Sequence, residues 1–298
     1  MMAVCQALGL ARSNLLMLCN RSSSWIDGRT ERTPRGDEQL LENIRGKITD
    51  LPSYGYRRAC ALVNRQLTSV GSPRVNPKRV YRVMAANALL WPKGATRRAQ
   101  SSRRHTGTVC VQASDTRWCS DGFEIKCDSA QTVTATFAKD CWDREIMAFR
   151  VWEGKGLPGE PVREMLIDAV EKRFGAVEAL PAGYLLQFLT DNGSAYIAHE
   201  TGRVARTLGL TPINTPVCSP QSNGMAESFV NTFKRDYVGR MDLSDAPTVL
   251  AQLSAAFEHF NEIHPHSSLK MKSPREVRRQ RVEQLRRAQL EHPALHCV

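Results

Sequence analysis

Apolar positions along the chain fall into two textures. Between residues 37 and 70, Leu40, Leu41, Ile44, Ile48 and Leu51 recur at three- and four-residue intervals, the period of a helix with one buried face. Pro52, Ser53 and Gly55 interrupt the pattern, and Ala59, Leu62, Val63 and Leu67 resume it. After a second break at Gly71-Ser72-Pro73, Val80, Val83, Met84 and Leu90 continue the helical period through residues 75–90. Short helices joined by tight turns and studded with arginine suit a helix-turn-helix type module, although any small helical domain shares the pattern. Residues 93–108 are polar and basic, rich in Ser, Thr and Gly, and read as a linker.

Beyond the linker the period shortens. Residues 116–127 and 132–138 predict strands around the turn-like Asp128-Ser129-Ala130, and 147–152 predict a third. A helix with Pro at its start follows at 161–174. Then come a strand at 184–190 ending on Asp191-Asn192-Gly193, a helix at 198–208 and a strand at 211–216. Two helices, 224–237 and 246–263, precede a charged tail that reads as a frayed helix with a solvated face. This order specifies an α/β fold with a mixed sheet flanked by helices. The implied organisation is an N-terminal segment 1–34, a helical domain 35–92, a basic linker 93–110, an α/β domain 111–280 and a tail 281–298.

Composition narrows the function classes. The chain has 298 residues, 42% of them hydrophobic and 24% charged, a globular mix. No apolar run is long enough for a membrane span, and Arg12 and Asn14 interrupt the mildly apolar start, which reads as a short helix rather than a secretory signal. Nine cysteines, none in a C-x-x-C pair, write neither a disulfide framework nor a zinc knuckle. They fit reduced thiols in a cytoplasmic protein.

The net charge of +11 is concentrated in one place. No acidic residue occurs between Asp50 and Asp115, whereas Arg57, Arg58, Arg65, Arg74, Lys78, Arg79, Arg82, Lys93, Arg97, Arg98, Arg103 and Arg104 all lie there. The remainder of the chain holds 29 basic and 30 acidic residues, so this quarter carries the whole excess. A positive field without intermixed acids attracts polyanions, nucleic acid above all. Arg97, Arg98, Arg103 and Arg104 suit an arm that follows a DNA backbone.

Candidate chemistry lies where acids meet strand ends. Asp121 falls in the first strand, within Trp118-Cys119-Ser120-Asp121-Gly122, and Asp191 follows the apolar strand directly. Ligands of open α/β sheets bind outside the carboxyl ends of strands. Glu227 lies early in a helix, with Asn231 and Lys234 on the same face and Phe229 and Phe233 on another. Three carboxylates brought together repel unless cations join them. Hard oxygen donors suit Mg²⁺ or Mn²⁺, and two such ions about 3.5–4 Å apart promote in-line phosphoryl displacement. Spacing alone does not separate these roles from ordinary turns and surface acids. Asp140, near Cys141 and Asp143, reads as a fold residue beside the site, and Asp115 as a loop acid. His264 and His266 flank Pro265 without further metal donors, which favours packing or DNA contact. Trp118 reads as packing under the sheet.

Motifs sharpen the picture. Thr190-Asp191-Asn192-Gly193-Ser194 and Ser219-Pro220-Gln221-Ser222-Asn223-Gly224-Met225-Ala226-Glu227-Ser228-Phe229 resemble the retroviral-integrase-like transposases, whose acidic triad this spacing matches. So do Phe260-Asn261-Glu262-Ile263-His264-Pro265-His266-Ser267-Ser268-Leu269, Ser273-Pro274-Arg275-Glu276, and the upstream Tyr54-Gly55-Tyr56-Arg57-Arg58 with Lys78-Arg79-Val80-Tyr81-Arg82. The likeness spans about residues 35–280 and is similar to the second-reading-frame product of bacterial insertion sequences that make a frameshifted fusion.

The resemblance implies an RNase H-like fold behind a small helical, helix-turn-helix-like domain, with Asp121, Asp191 and Glu227 holding two Mg²⁺ or Mn²⁺ ions. It further implies cleavage at element ends to leave 3′-hydroxyls, then strand transfer. Implied partners are the element's DNA and its target, the first-frame product or a fusion to it, and further copies of the chain. Residues 5–20 would then be the remnant of a helix-turn-helix completed by the first frame. The implied location is the bacterial cytoplasm, at the nucleoid. DNA contacts are expected from Arg57, Arg58, Lys78, Arg79, Asn231, Lys234 and the four linker arginines. One departure is Lys270, where relatives usually have Gly, which bears on the shape of that turn. A non-catalytic DNA-binding regulator and a structure-specific nuclease on the same fold are the competing readings.

Overall fold

The computed structural model describes residues 2–9, 11–22, 24–25, 36–49, 51–91, 111–175, 185–215 and 223–291. The chain divides into two compact units, Met1–Glu42 and Asn43–Val298. The first holds two short helices, α1 (Met2–Leu8) and α2 (Arg12–Cys19), and the start of α3 (Glu38–Ile48). The expected linker arm, with Arg97, Arg98, Arg103 and Arg104, lies outside the described residues, as does the loop 216–222.

In the larger unit, α4 (Tyr56–Ser69) and α5 (Pro77–Ala86) form where the helical period predicts them. Asn76 caps α5 by accepting the Lys78 backbone N–H at 2.8 Å, with Pro77 supplying the first helical residue. Buried Asn64 fixes the connection, bonding both the N–H of Val75 at 2.7 Å and its carbonyl at 3.0 Å. The helix ends at Ala86, earlier than the apolar pattern suggests, because Asn87 caps it and Ala88 turns the chain at φ 54°.

A five-stranded sheet forms next, in the order β3-β2-β1-β4-β5. β1 (Arg117–Lys126), β2 (Thr132–Asp140) and β3 (Ile146–Glu153) are antiparallel, while β4 (Leu186–Thr190) and β5 (Leu210–Asn214) run parallel to β1. This is the mixed sheet expected from the sequence. Every residue of β2 is buried, since helices cover both sheet faces there.

Alternation divides the side chains between the faces. On one face, Trp118, Met147, Leu186, Phe188 and Leu210 pack with Val162, Met165, Leu166, Ala169 and Val170 of α6 (Gly159–Phe174), and with Ala205 of α8 (His199–Thr207). Trp118 is fully buried and stacks on Phe174 at 6.0 Å. The short α7 (Ser194–Ile197) breaks what the sequence reads as plain loop. The other face is aromatic. Phe137 meets Phe229 of α9 (Gly224–Asp236) at 4.4 Å, Phe123 meets Phe233 at 5.8 Å, and Phe149 stacks on Phe257 of α10 (Ala246–Glu262) at 4.0 Å. Such offset and edge-on ring pairs add to the area buried.

The helical module shares this compact unit. Tyr54, with no exposed surface, hydrogen-bonds its hydroxyl to His264 Nδ1 at 2.7 Å. Arg58 pairs with buried Asp236 at 2.8 Å, and Arg65 donates to the carbonyls of Ile263 at 2.8 Å and Met271 at 2.9 Å. Two arginines of the basic stretch thus act inside the fold. Burial drives the Asp236 carboxyl up, but Arg235 and Arg58 outweigh it and hold the group below its ordinary range.

Arg173, at the end of α6, gathers four acids. Its side chain is 1% exposed and contacts Asp115 at 2.5 Å, Glu145 at 2.5 Å, Asp140 at 3.5 Å, and Asp143. Asp140 also accepts the backbone N–H groups of Asp115 and Trp142, each at 2.7 Å, and of Asp143 at 2.9 Å. Asp140 is therefore a fold residue, and Asp115 belongs to the same network.

The tail is one helix, α11 (Pro274–Glu291), and its arginines are not simply solvated. Arg275 pairs with Glu145 at 3.2 Å and Glu262 at 3.0 Å, and Arg279 with Glu262 at 3.0 Å. The acids lie far away in sequence, so no local pattern announces them. Lys270 adopts φ 53°, the left-handed conformation that Gly takes without strain, so the turn keeps that geometry with a lysine. Among the described residues no helix is long and apolar enough to cross a membrane.

Removing Arg173 takes the cation from buried Asp140 and Asp143 and leaves Glu145 and Asp115 to Arg275 and Arg278. Arg173→Leu is expected to lower the unfolding free energy by about 3–5 kcal/mol in urea denaturation. A decrease under about 1 kcal/mol would show that the acids do not depend on it.

Candidate active site

The register of two parallel strands brings the first two candidate acids together. Cys119 of β1 is level with Leu189 of β4. Two residues further along each strand stand Asp121 and Asp191, at the carboxyl end of the parallel pair. Pairing between β1 and β4 stops at Cys119 and Leu189, so the strands part where the acids emerge. The open edge of β1 is used at once: Asn223, 3% exposed, donates its amide to the Ser120 carbonyl at 2.9 Å. That bond anchors the start of α9 beside Asp121; Glu227, one turn into this helix, is exposed and does not line the cleft formed around Asp121 and Asp191. The sequence assigns Asn223 only to a loop that lets the helix approach, and the hydrogen bond supplies the means.

Asp121 and Asp191 line a cleft of about 530 Å³ with Glu124, Tyr196, Val230 and Lys234. Asp121 accepts the Gly122 N–H at 2.7 Å, and Asp191 accepts the Gly193 N–H at 3.0 Å. A Cβ at Gly193 would stand 3.0 Å from the Asp191 carboxylate, so this glycine is required by close approach rather than by φ. Asn192 donates to the Thr215 carbonyl at 3.0 Å and secures the turn against the end of β5.

Beneath the acids lies a buried hydroxyl cluster that the sequence does not announce. Tyr196 shares hydrogen bonds with Ser120 at 2.7 Å and Thr136 at 3.0 Å, and Thr136 donates to the Asp121 carbonyl oxygen at 3.2 Å. Tyr196 follows Asp191 by about one helical turn, but nothing local marks its hydroxyl as facing β1 and β2.

Asp121 is the candidate acid most shaped by its surroundings. Burial pushes the Asp121 carboxyl up from 3.8 to about 6, and the negative charges of Asp191 and Glu227 add to the rise, against the Gly122 hydrogen bond and Lys234. Lys234 also lies 5.7 Å over the Phe123 ring, on the flank of α9 that carries Glu227. Asn231 is exposed on α9. Among the described residues no three carboxylate, imidazole or thiol groups stand close enough to share one ion as positioned. The donor type nonetheless suits a hard divalent cation: Asp121 is a carboxylate raised by burial, and the charges of Asp191 and Glu227 add to that rise.

Other residues expected to contact DNA are placed as follows. Arg57 and Lys78 are exposed near the starts of α4 and α5, with Arg57 against the Tyr56 ring at 5.6 Å. Tyr56 meets Tyr81, which is itself 48% exposed, edge-on at 5.1 Å. Arg79 is half-buried and engaged in the fold, and Arg58 is committed to Asp236. His264 is fully buried, which places it in the packing between Tyr54, Phe260 and Tyr237.

Comparison with known proteins agrees with this architecture. Residues 208–274 match the integrase core domain family. The chain is 48% identical over 278 residues to the transposase InsD for insertion element IS2A/D/F/H/I/K of Escherichia coli, covering 93% of this chain and 90% of that one. It is equally similar to InsD for insertion element IS2-9 of Escherichia coli strain K12, covering 93% and 89%. Among solved structures, the catalytic core domain of BIV integrase is 18% identical with a TM-score of 0.40, covering 57% of this chain and 97% of that one. The Mos1 transposase catalytic domain, solved with raltegravir and Mg, is 13% identical with a TM-score of 0.40, covering 48% and 71%.

The class is that of polynucleotidyl transferases with an integrase-type catalytic core. Within it, the chain belongs to the insertion-element transposases that include InsD of IS2.

Because its pKa is raised in the fold, ionised Asp121 costs stability as pH climbs from its ordinary value through about 6. In EDTA, the stability of Asp121→Asn relative to the natural chain is expected to rise by about 1–2 kcal/mol between pH 4.5 and 7.5, allowing for partial exposure. A difference that stays flat across this window in thermal denaturation would refute the shift.

Proposed function

We propose that the chain cuts the ends of an insertion element to expose 3′-hydroxyls and joins those ends to new DNA, with Asp121, Asp191 and Glu227 as the catalytic, metal-holding residues. The observation that carries this reading is the β1–β4 register, which delivers Asp121 and Asp191 side by side under the helix that bears Glu227. Bound there, two Mg²⁺ or Mn²⁺ ions would supply Lewis-acid chemistry to the attacking and leaving oxygens of an in-line displacement.

The chain's own residues do the positioning. Gly122 and Gly193 N–H groups orient the two aspartates. The Tyr196 hydroxyl cluster fixes β1 and β2 beneath them. Lys234, on the wall of the cleft, is placed to meet a phosphate of the DNA strand entering it, with Asn231 on the same helix. Arg57 and Lys78 offer exposed charge on the helical module for the DNA backbone, continued by Arg97, Arg98, Arg103 and Arg104 of the linker. In this reading residues 35–92 form the DNA-binding part, 93–110 the arm and 111–280 the catalytic core. Two element ends must be held at once, so the active assembly contains further copies of the chain and the first-frame product, separate or fused.

The test is a strand-transfer assay with Mg²⁺ or Mn²⁺, on the chain alone and fused to its upstream frame. Asp121→Asn, Asp191→Asn and Glu227→Gln should each lower transfer by at least about a thousandfold, with DNA binding retained. Transfer that survives one substitution removes that residue from the set. Absence of transfer from either form, with DNA binding intact, would favour a regulator, and hydrolysis without joining a nuclease.

Neutralising Arg97, Arg98, Arg103 and Arg104 should weaken binding to all DNA sequences alike. The slope of log affinity against log salt should become shallower by about 0.9 for each phosphate that is no longer neutralised. An unchanged slope would exclude the arm from the phosphates.

A further inference from the structure

α9 separates two different environments. Val230 and Lys234 border the carboxylate cleft. Gly224, Met225, Ser228, Phe229 and Thr232 instead line a second cavity, of about 400 Å³, between α9, the end of β2 and the chain after α10. Its wall carries Arg58, Lys139, Arg144, His264 and His266, and no acidic residue.

Lys139 is the first unusual feature. It lies on the aromatic face of β2, level with Cys119, and is 4% exposed. Its ammonium lies 5.2 Å over the Phe229 ring. Among the described residues, no carboxylate lies within ion-pairing distance of it. The acid next to it, Asp140, is turned to the other face of the sheet and held by Arg173 at 3.5 Å. Burial drives the Lys139 ammonium down to about 8, with the Arg144 charge acting the same way. A buried cation in this position lacks its counter-charge.

The second feature is independent of charge. His264 Nε2 and His266 Nε2 are buried and have no hydrogen-bond partner among the described residues. The rings stand 4.8 Å apart, and both line the cavity. His264 uses Nδ1 on the Tyr54 hydroxyl at 2.7 Å, leaving only Nε2 available. Burial and the surrounding cations keep both imidazoles well below their ordinary range, hence neutral. A neutral imidazole that accepts the phenol proton at Nδ1 bears its own proton at Nε2, where it donates. Buried polar atoms are rarely left unpaired, and two that line one cavity point to a ligand of complementary polarity.

The third feature is access. Arg144, Met225 and Ser268 also border a neighbouring trough of about 550 Å³, whose wall adds Lys270, Lys272 and Arg281 and again holds no acid. An anion reaching the cavity would pass along a uniformly basic surface.

We propose that this cavity is a phosphate-binding site, in which Lys139 and Arg144 neutralise the oxyanion and His264 and His266 donate to it through Nε2. Arg58 contributes less, being committed to Asp236. The phosphate is either a group on the DNA strand or free inorganic phosphate, since both present the same oxygens. The site makes no use of the three carboxylates, so it can be tested in EDTA, apart from catalysis.

The experiment titrates the full chain with inorganic phosphate against chloride at equal ionic strength, reading the melting temperature and the ³¹P line width. The natural chain should show a saturable rise in melting temperature with line broadening. Lys139→Met should bind phosphate about tenfold or more weakly, yet melt no lower without phosphate, because it removes an unpaired buried charge. Ser228→Asp, which introduces a resident carboxylate at the wall, should also abolish the response, whereas the neutral Ser228→Asn should keep it. An oligonucleotide that displaces inorganic phosphate identifies a DNA phosphate as the ligand. One that binds without displacing it identifies the free ion. No phosphate response in the natural chain, or an equal response in Lys139→Met and Ser228→Asp, overturns the proposal.

Discussion

Asp121 and Asp191 line one cleft although their charges oppose it. The device is backbone pairing. With Cys119 opposite Leu189, the parallel ladder between β1 and β4 leaves no freedom over where Asp121 and Asp191 emerge. Side-chain repulsion cannot separate them without breaking a strand pair at the centre of the sheet. The same parting of strands frees the Ser120 carbonyl for Asn223, which ties down the helix that brings Glu227. Burial raises the Asp121 carboxyl, with the charges of Asp191 and Glu227 adding to the rise, and a bound cation would offset it.

The rest of the core makes the confinement rigid. One sheet face is sealed by aliphatic packing against α6 and the other by stacked phenylalanines from α9 and α10. Away from the site, acids are handled in the opposite way. Asp115, Asp140, Asp143 and Glu145 surround a single buried guanidinium, Arg173, and are structurally satisfied. Among the described residues no cation pairs with the candidate acids, whereas Asp140, though raised to about 7 by burial and by Asp143, is held by Arg173. The logic applies with reversed sign behind α9, where Lys139 is the cation without an acid.

The helical module is also more than a tethered DNA reader. Tyr54, Arg58 and Arg65 bind it to the chain around α9, α10 and the turn at Lys270.

Periodicity alone determined the order of helices and strands, because a buried face repeats about every 3.6 residues in one and every two in the other. Motif likeness further selected Asp121, Asp191 and Glu227 from the 30 acidic residues of the chain. What only the tertiary structure decided is which polar groups meet across long separations. Charge density could not reveal that Arg58 and Arg65 turn inward, nor that Arg275 and Arg279 of the tail are paired. Tyr196 and Lys139 look ordinary in sequence, and neither Asn223 nor the two histidines reveals its partner there. Their roles arise from register and from the crossing of α9 over the sheet. Local pattern encodes which face of an element is buried, whereas the partner found on that face depends on how distant elements are brought into contact.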